Sequence, residues 1–401
     1  MKLLLKYITI LAIAFSLLAN TACNNLKEEQ QGEYNQTLIF YFAGTSLSFY
    51  FYQNISAIKE ALRNDIKGNS RVMLFFQQGD KNNAEIIELT YENGLCEEKK
   101  IATHALPQQM DAESLSLILK SIMRHAPADT YNLIIGSHGT GWLPIGASAN
   151  SIEASSTKPL HIEDYWKRTG DQMTRFIGEE SNLQNAFDIP TLAEAIKRTG
   201  KKFDYILFDA CFMANVESAY ELRNATHYIV GSVCEIMGSG FPYTTALPHM
   251  LLNYGTDYDL DGVCQAFNSF YAEKYGYSGS ISVIDCSQLD ALASAMKQVN
   301  QSSQKSYDLN SLQFYEGQQR HIFFDLGDYV NKMCKDTESR KAFSRQLANT
   351  IPCKYTLDKY YSAYGVSGKY SITSYSGINT SAPAEVYTDD YKQTSWYKAT
   401  H

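Results

Sequence analysis

The chain has 401 residues, enough for one large or two ordinary domains, and its 44% hydrophobic and 19% charged residues fit a globular protein with a substantial core. Its 35 basic and 43 acidic side chains leave a formal net charge of −8, which argues against nucleic acid as a partner. The 29 tyrosines, many of them near the end of the chain, carry no functional weight by themselves.

Residues 1–22 read as a targeting segment. Lys2 and Lys6 make a positive start, Ile8 to Leu18 an apolar run, and Asn20-Thr21-Ala22 a small polar end. The apolar run is shorter than the roughly 20 residues of a membrane span. Ala22-Cys23 resembles a bacterial lipoprotein cleavage site, with Asn20 where Leu is usual, and makes Cys23 the candidate lipidated residue. The alternative is ordinary cleavage near Ala22. Lys27-Glu28-Glu29 resembles a short tag for display at the cell surface, and residues 23–36 read as a tether. An exported lipoprotein of the outer membrane or cell surface is therefore expected.

Order is expected from Thr37. Leu38 to Phe42 suits a buried strand, Tyr52 to Asn64 a helix, and Arg71 to Gln77 a second strand. Asn93-Gly94 predicts a hairpin between Ala84–Tyr91 and Lys99–Thr103. Asp111 caps a helix that closes before Pro127, and Tyr131 to Gly136 is again a strand. Residues 143–188 form a long connection, a length usually functional or flexible. A helix over Asp188 to Gly200, a strand over Phe203 to Phe208, a helix over Met213 to Asn224 and a strand over Tyr228 to Ser232 follow. Later elements are a strand over Ile281 to Ile284, helices over Gln288–Val299, Phe323–Cys334 and Ser339–Ala348, and β-like alternation around Tyr370 to Tyr375. Strands alternating with helices predict a mostly parallel sheet covered on both faces. Sites on such sheets lie beyond the carboxyl ends of strands, which selects the residues after Ile135 and after Phe208.

Those two ends carry Ser137-His138-Gly139-Thr140-Gly141-Trp142 and Asp209-Ala210-Cys211-Phe212-Met213. A thiol nucleophile needs such a pair: cysteine attacks as thiolate, and imidazole takes and returns the proton. Gly139 allows close backbone approach, and its N–H with that of Cys211 makes a candidate oxyanion hole. The helix predicted after Cys211 would add a dipole favouring a thiolate. Excluding Cys23, seven of the eight cysteines remain, so an exported chain keeps at least one thiol outside any pairing. There is no CxxC pair for a structural zinc site. Taken alone, Cys211 also reads as a small buried core residue, and His138 as an ordinary loop histidine.

The same residues resemble the clostripain family of cysteine peptidases, in the lipoprotein form found in Bacteroidetes. The resemblance is carried by His138 to Trp142 and by Phe208 to Met213 with Val216-Glu217 and Tyr220-Glu221-Leu222. It continues through Gly231-Ser232, Gly240-Phe241-Pro242-Tyr243, Phe324-Asp325-Leu326-Gly327-Asp328 and Ser395-Trp396-Tyr397. It implies a caspase-like α/β/α sandwich over residues 37–285, with 286–401 as a C-terminal α+β extension. It also implies a His138–Cys211 dyad cutting after Lys or Arg, with Asp209 holding the basic side chain. The alternative for Asp209 is an N-cap of the following helix. Glu235 is a candidate second acid for substrate; the alternative is a solvated loop residue. The resemblance further implies self-cleavage in 143–188, where Lys158, Lys167, Arg168 and Arg175 are available. No cofactor and no metal ligand set is expected. Some members depend on calcium, but Asp257 to Gly262 lacks the later Glu of a calcium loop. The sequence departs from the family at Ala43-Gly44-Thr45-Ser46-Leu47, where the usual acid is missing, and at Phe212, where Leu is usual. A surface lipoprotein that keeps the fold for binding is the rival function. A redox thiol is a weaker one, since only the distant Cys234 could resolve it.

Overall fold

The computed structural model describes residues 34–63, 69–78, 82–145, 173, 186–252, 258–302, 308–318, 320–364, 368–382 and 386–401. The targeting segment, Cys23, Lys158, Lys167, Arg168, Arg175 and Asp257 lie outside the described residues.

Strands β1 (Tyr34–Phe42), β2 (Ser70–Gln77), β5 (Ala128–Gly136), β6 (Phe203–Asp209) and β7 (Thr226–Gly231) form the parallel centre of a nine-stranded sheet. β1 starts at Tyr34, earlier than the expected Thr37. Two antiparallel strands, β3 (Asn83–Glu92) and β4 (Leu95–Ala105), extend one side. Their turn is the predicted Asn93-Gly94, both at positive φ (52° and 83°), which matches the twist of the strands it joins. On the other side β8 (Ile281–Asp285) pairs antiparallel with β7. The strand order is β10-β8-β7-β6-β5-β1-β2-β3-β4, where β10 (Cys353–Tyr355) comes from the region expected to be an extension.

The central strands are continuous apolar runs because both faces are covered. Leu38, Ile39, Phe40, Phe42 and Tyr205 to Leu207 are fully buried. One face carries α1 (Ser48–Arg63), α5 (Tyr243–Met250) and α6 (Leu260–Lys274), which pack in series. The other carries α2 (Ala112–His125), α3 (Ile189–Thr199), α4 (Val216–Leu222), α7 (Leu289–Ser302) and α9 (Thr337–Thr350). The result is the α/β/α sandwich implied by the resemblance. Caps fix the helix starts: Asp111 Oδ1 accepts from Ser114 N at 2.7 Å, and Asp188 Oδ1 from Thr191 N at 2.9 Å. Gly200 ends α3 at φ 77°.

The helix expected over Phe323 to Cys334 is a short strand β9 (Phe324–Asp325) followed by α8 (Leu326–Met333), because Asp325 caps the helix by accepting from Asp328 N at 2.8 Å. Beyond β10 come two short strands, β11 (Lys359–Tyr361) and β12 (Lys369–Ser371), paired antiparallel. β13 (Asn379–Thr380) pairs with β9, and α10 (Thr388–Gln393) and α11 (Ser395–Thr400) close the chain. Several tyrosines here are interior residues: Tyr360 stacks on Tyr370 at 5.4 Å and is fully buried.

Candidate active site

β5 and β6 are hydrogen-bonded neighbours, and their register ends by pairing Gly136 with Asp209. His138 and Cys211 lie equally far past that pair, so the sheet brings the imidazole loop and the thiol loop side by side. Gly139 makes the contact close: a Cβ there would sit 2.5 Å from Cys211 O and 3.1 Å from Cys211 N. Only glycine fits without moving backbone. The same approach places the Gly139 backbone against the Cys211 backbone.

Cys211 is fully buried. The expected helix start is corrected here. α4 begins at Val216, capped by Asn215, whose Oδ1 accepts from Ser218 N at 2.9 Å, so its N-terminus is not at the thiol. A turn intervenes because Phe212 adopts φ 61°, a left-handed conformation that costs a bulky residue about 1–2 kcal/mol. Phe212 is held there by its N–H donating to Cys234 O at 3.2 Å and by stacking on Phe323 at 4.5 Å. What supports sulfur is instead the segment after β7: Ile236 N–H lies 3.3 Å from Sγ, a donor that favours negative charge on it. The thiol itself reaches Ile236 O at 3.7 Å.

His138 is 8% exposed, and its Nε2 lies 2.7 Å from Ser46 Oγ. Ser46 belongs to the turn Thr45–Leu47 that follows β1. Asp209, the last residue of β6, is fully buried behind the thiol loop and accepts from Tyr243 OH at 2.7 Å. It does not cap α4, since Asn215 does. Beside this cluster, Gly238 N–H donates to Met173 O at 2.8 Å, so a residue of the long connection lies against the segment that touches Sγ.

Comparison with known proteins fits this geometry. A family model described as the clostripain family matches residues 162–401. The solved structure of a secreted C11 cysteine protease from Bacteroides thetaiotaomicron, "iotapain", is 34% identical, with a TM-score of 0.77 over 92% of this chain and 99% of that one. The chain belongs to the clostripain family. It is also similar to an inactive zymogen C11 protease from Parabacteroides distasonis, at 28% identity and a TM-score of 0.75 over 94% of this chain and 100% of that one. A secreted Bacteroides thetaiotaomicron C11 cysteine protease in complex with an irreversible peptide inhibitor matches at 26% identity, with a TM-score of 0.74 over 92% of this chain and 99% of that one. Among curated sequences no relative matches. The caspase-like fold is that of these cysteine proteases.

The remaining candidates of this clostripain-family chain are placed as follows. Glu235, expected as a second acid for substrate, is fully buried and engaged by the fold: Ser362 Oγ donates to Oε1 at 2.5 Å and Ala363 N to Oε2 at 3.1 Å. Its carboxylate holds the turn after β11. Cys234 is buried with its thiol pushed up to about 12 by desolvation, which makes it a poor resolving partner for Cys211. Asp259 caps α6, its Oδ1 accepting from Gly262 N at 2.9 Å, while Oδ2 meets His249 Nδ1 at 2.7 Å. Asp261 accepts from Tyr355 OH at 3.1 Å. Among the described residues no group of three or more His, Cys, Asp or Glu could hold a metal ion, and no helix is long and apolar enough to cross a membrane.

Sequence reasoning missed Ser46, Ile236, Gly238 and Tyr243. Each reaches the site from an element distant in sequence, and only strand order puts it there. Gly240-Phe241-Pro242-Tyr243 was singled out as a motif, but its tie to Asp209 has no signature in spacing.

Proposed function

We infer that the protein is a cysteine endopeptidase cutting after Lys or Arg with a His138–Cys211 dyad. The observation that carries the reading is the β5–β6 register, which sets the imidazole and thiol loops at matched positions with Gly139 against the Cys211 backbone. Cys211 gives its proton to His138, and Sγ bonds to the substrate carbonyl carbon. The amides of Gly139 and Cys211 hold the oxygen as it gains charge. His138 protonates the amine as the C–N bond breaks, and water then releases the acyl group from sulfur. Asp209 is the acid for the basic side chain, paired by charge-assisted hydrogen bonds. It has to be uncovered for that role, as does the buried Cys211.

The burial of both groups, with Met173 O held by Gly238 N–H, supports a latent form in which the connection must be cut first. Lys158, Lys167, Arg168 and Arg175 remain the candidate cut sites. Calcium enters as a dependence to be tested with chelator. The chain is read as exported and anchored through Cys23, at the outer membrane or cell surface. Residues 37–285 carry the proposed dyad, and the chain from 286 to 401 completes the same sandwich, with β10 paired to β8 and α7 and α9 on one face.

An irreversible peptide inhibitor bearing Lys or Arg tests the chemistry directly. After limited tryptic nicking of the full chain, mass spectrometry should find the adduct on Cys211. Adducts spread over other cysteines, or none, would count against the dyad. The second reading, a binding lipoprotein that no longer cuts, would be favoured by tight peptide binding with no adduct.

A further inference from the structure

We propose that Ser46 is a positioning residue for His138, its hydroxyl holding the imidazole so that the opposite ring nitrogen exchanges a proton with Cys211. The inference rests on the peptidase reading above.

Phe42 of β1 pairs with Gly136 of β5, and Ala43 N–H donates to Gly136 O at 3.0 Å. The chain leaving β1 therefore runs beside the chain leaving β5. Gly44, at φ 129°, turns it. Leu47 N–H then closes a turn on Gly44 O at 3.2 Å, and the Leu47 side chain is fully buried under it. That turn, Thr45–Leu47, presents Ser46 Oγ to His138 Nε2 at 2.7 Å. Backbone bonds and a buried anchor thus fix the hydroxyl on a rigid support.

An imidazole has two ring nitrogens. With Ser46 on Nε2, proton traffic with Cys211 runs through Nδ1. The proton leaves Cys211 Sγ for Nδ1 as the S–C bond forms. It passes from Nδ1 to the amine nitrogen as the C–N bond breaks. Ser46 neither gains nor loses a proton. Because a hydroxyl both donates and accepts, it can donate to an unprotonated Nε2 and accept from an Nε2–H, so one contact holds the ring through both steps. An uncharged hydroxyl orients the ring without the electrostatic pull a carboxylate would exert on the imidazolium.

The test uses the full chain, nicked to its active form, with a fluorogenic Lys or Arg peptide. Ser46→Ala should lower kcat about tenfold and leave KM within about twofold, since an oriented acid matters in the transition state and little in substrate binding. Ser46→Thr keeps a hydroxyl and should recover most of the loss. A well-folded Ser46→Ala enzyme with unchanged kcat, or a Ser46→Thr enzyme as slow as the alanine variant, overturns the proposal. A second measurement does not need turnover. In the Cys211→Ala chain with isotope-labelled histidine, Ser46→Ala should shift the His138 ring-nitrogen resonances, and unchanged resonances overturn the proposal by themselves. If the peptidase reading fails, the parent chain cuts no peptide; if this inference fails, the enzyme cuts and is indifferent to Ser46.

Discussion

The two strand ends that meet at the site are built differently. The β5 end is a loop whose glycines at positions 139 and 141 let it pack closely on the thiol turn and Phe323, and its imidazole is steadied by a hydroxyl from the neighbouring β1 end. The β6 end is a buried, left-handed turn at Phe212, held by stacking on Phe323 and by the segment after β7. The imidazole end is thus held from outside its own strand, by Ser46 and by the close packing of Gly139 on Cys211. The proposed nucleophile sits on backbone whose strain the surroundings hold in place.

The two ends are tied together from behind by the chain's last quarter. Trp142, on the imidazole loop, donates Nε1–H to Ser381 Oγ at 2.6 Å. Ser381 N–H donates to Glu217 Oε1 at 3.0 Å, and Glu217 lies on α4 just past the thiol turn. Asn379 Nδ2 donates to Val233 O at 2.8 Å, and Asn379 Oδ1 accepts from Asn215 Nδ2 at 2.7 Å. The segment from Asn379 to Ser381 is therefore a strap across both loops.

Each difference between the two ends can be broken separately. Cys211→Ala and His138→Ala should each lower kcat/KM by about a thousandfold or more, because the two act as a unit. A double variant should be no slower than the worse single one, which a kinetic cycle would read.

Next in size is the strap. Glu217 is buried, and desolvation pushes its carboxyl up to about 7 against the bonds from Thr380, Ser381 and Asn215. A carboxyl raised in the folded state favours folding at low pH. That advantage is whole below the ordinary carboxylate value near 4.5 and is lost as pH rises through about 7. The loss should amount to about 3 kcal/mol. Thermal melts of wild type and Glu217→Gln from mildly acidic to neutral pH should show the wild-type decline and a flatter glutamine curve.

Gly139→Ala should lower kcat by about a hundredfold, since its Cβ would push on the Cys211 carbonyl and misplace the oxyanion donors. KM measured alongside should change less. The smallest effect is expected at the thiol turn. Phe212→Leu loses the stack on Phe323 and should cost about 1 kcal/mol in a denaturant melt. It should leave kcat within about twofold, because the turn's backbone bond to Cys234 O remains.

The parallel centre and the meeting of the two strand ends that carry the proposed dyad were legible in the sequence because they rest on local signals. The strands are short apolar runs, the helices have Asp caps with Pro and Gly boundaries, and the His138 and Cys211 motifs directly follow strands. What was not legible depends on long-range pairing. Nothing in Cys353 to Tyr355 says that it becomes an edge strand of the main sheet. The helix start behind Cys211 was misplaced because Asn215, and no earlier residue, supplies the cap. Glu235 looked like a loop acid, and its burial depends on Ser362, far along the chain. α5 carries Pro248 inside it and α10 lacks a side-chain cap, so neither announces itself by pattern.

The most direct test of the central claim is hydrolysis of fluorogenic peptides ending in Arg, Lys, Ala or Asp by the full chain, before and after limited tryptic nicking, with Cys211→Ala beside it. The account predicts release from Arg or Lys peptides alone, appearing or rising on nicking and abolished in Cys211→Ala. Release that survives Cys211→Ala, or no release from any peptide even after nicking and with calcium added, would contradict it.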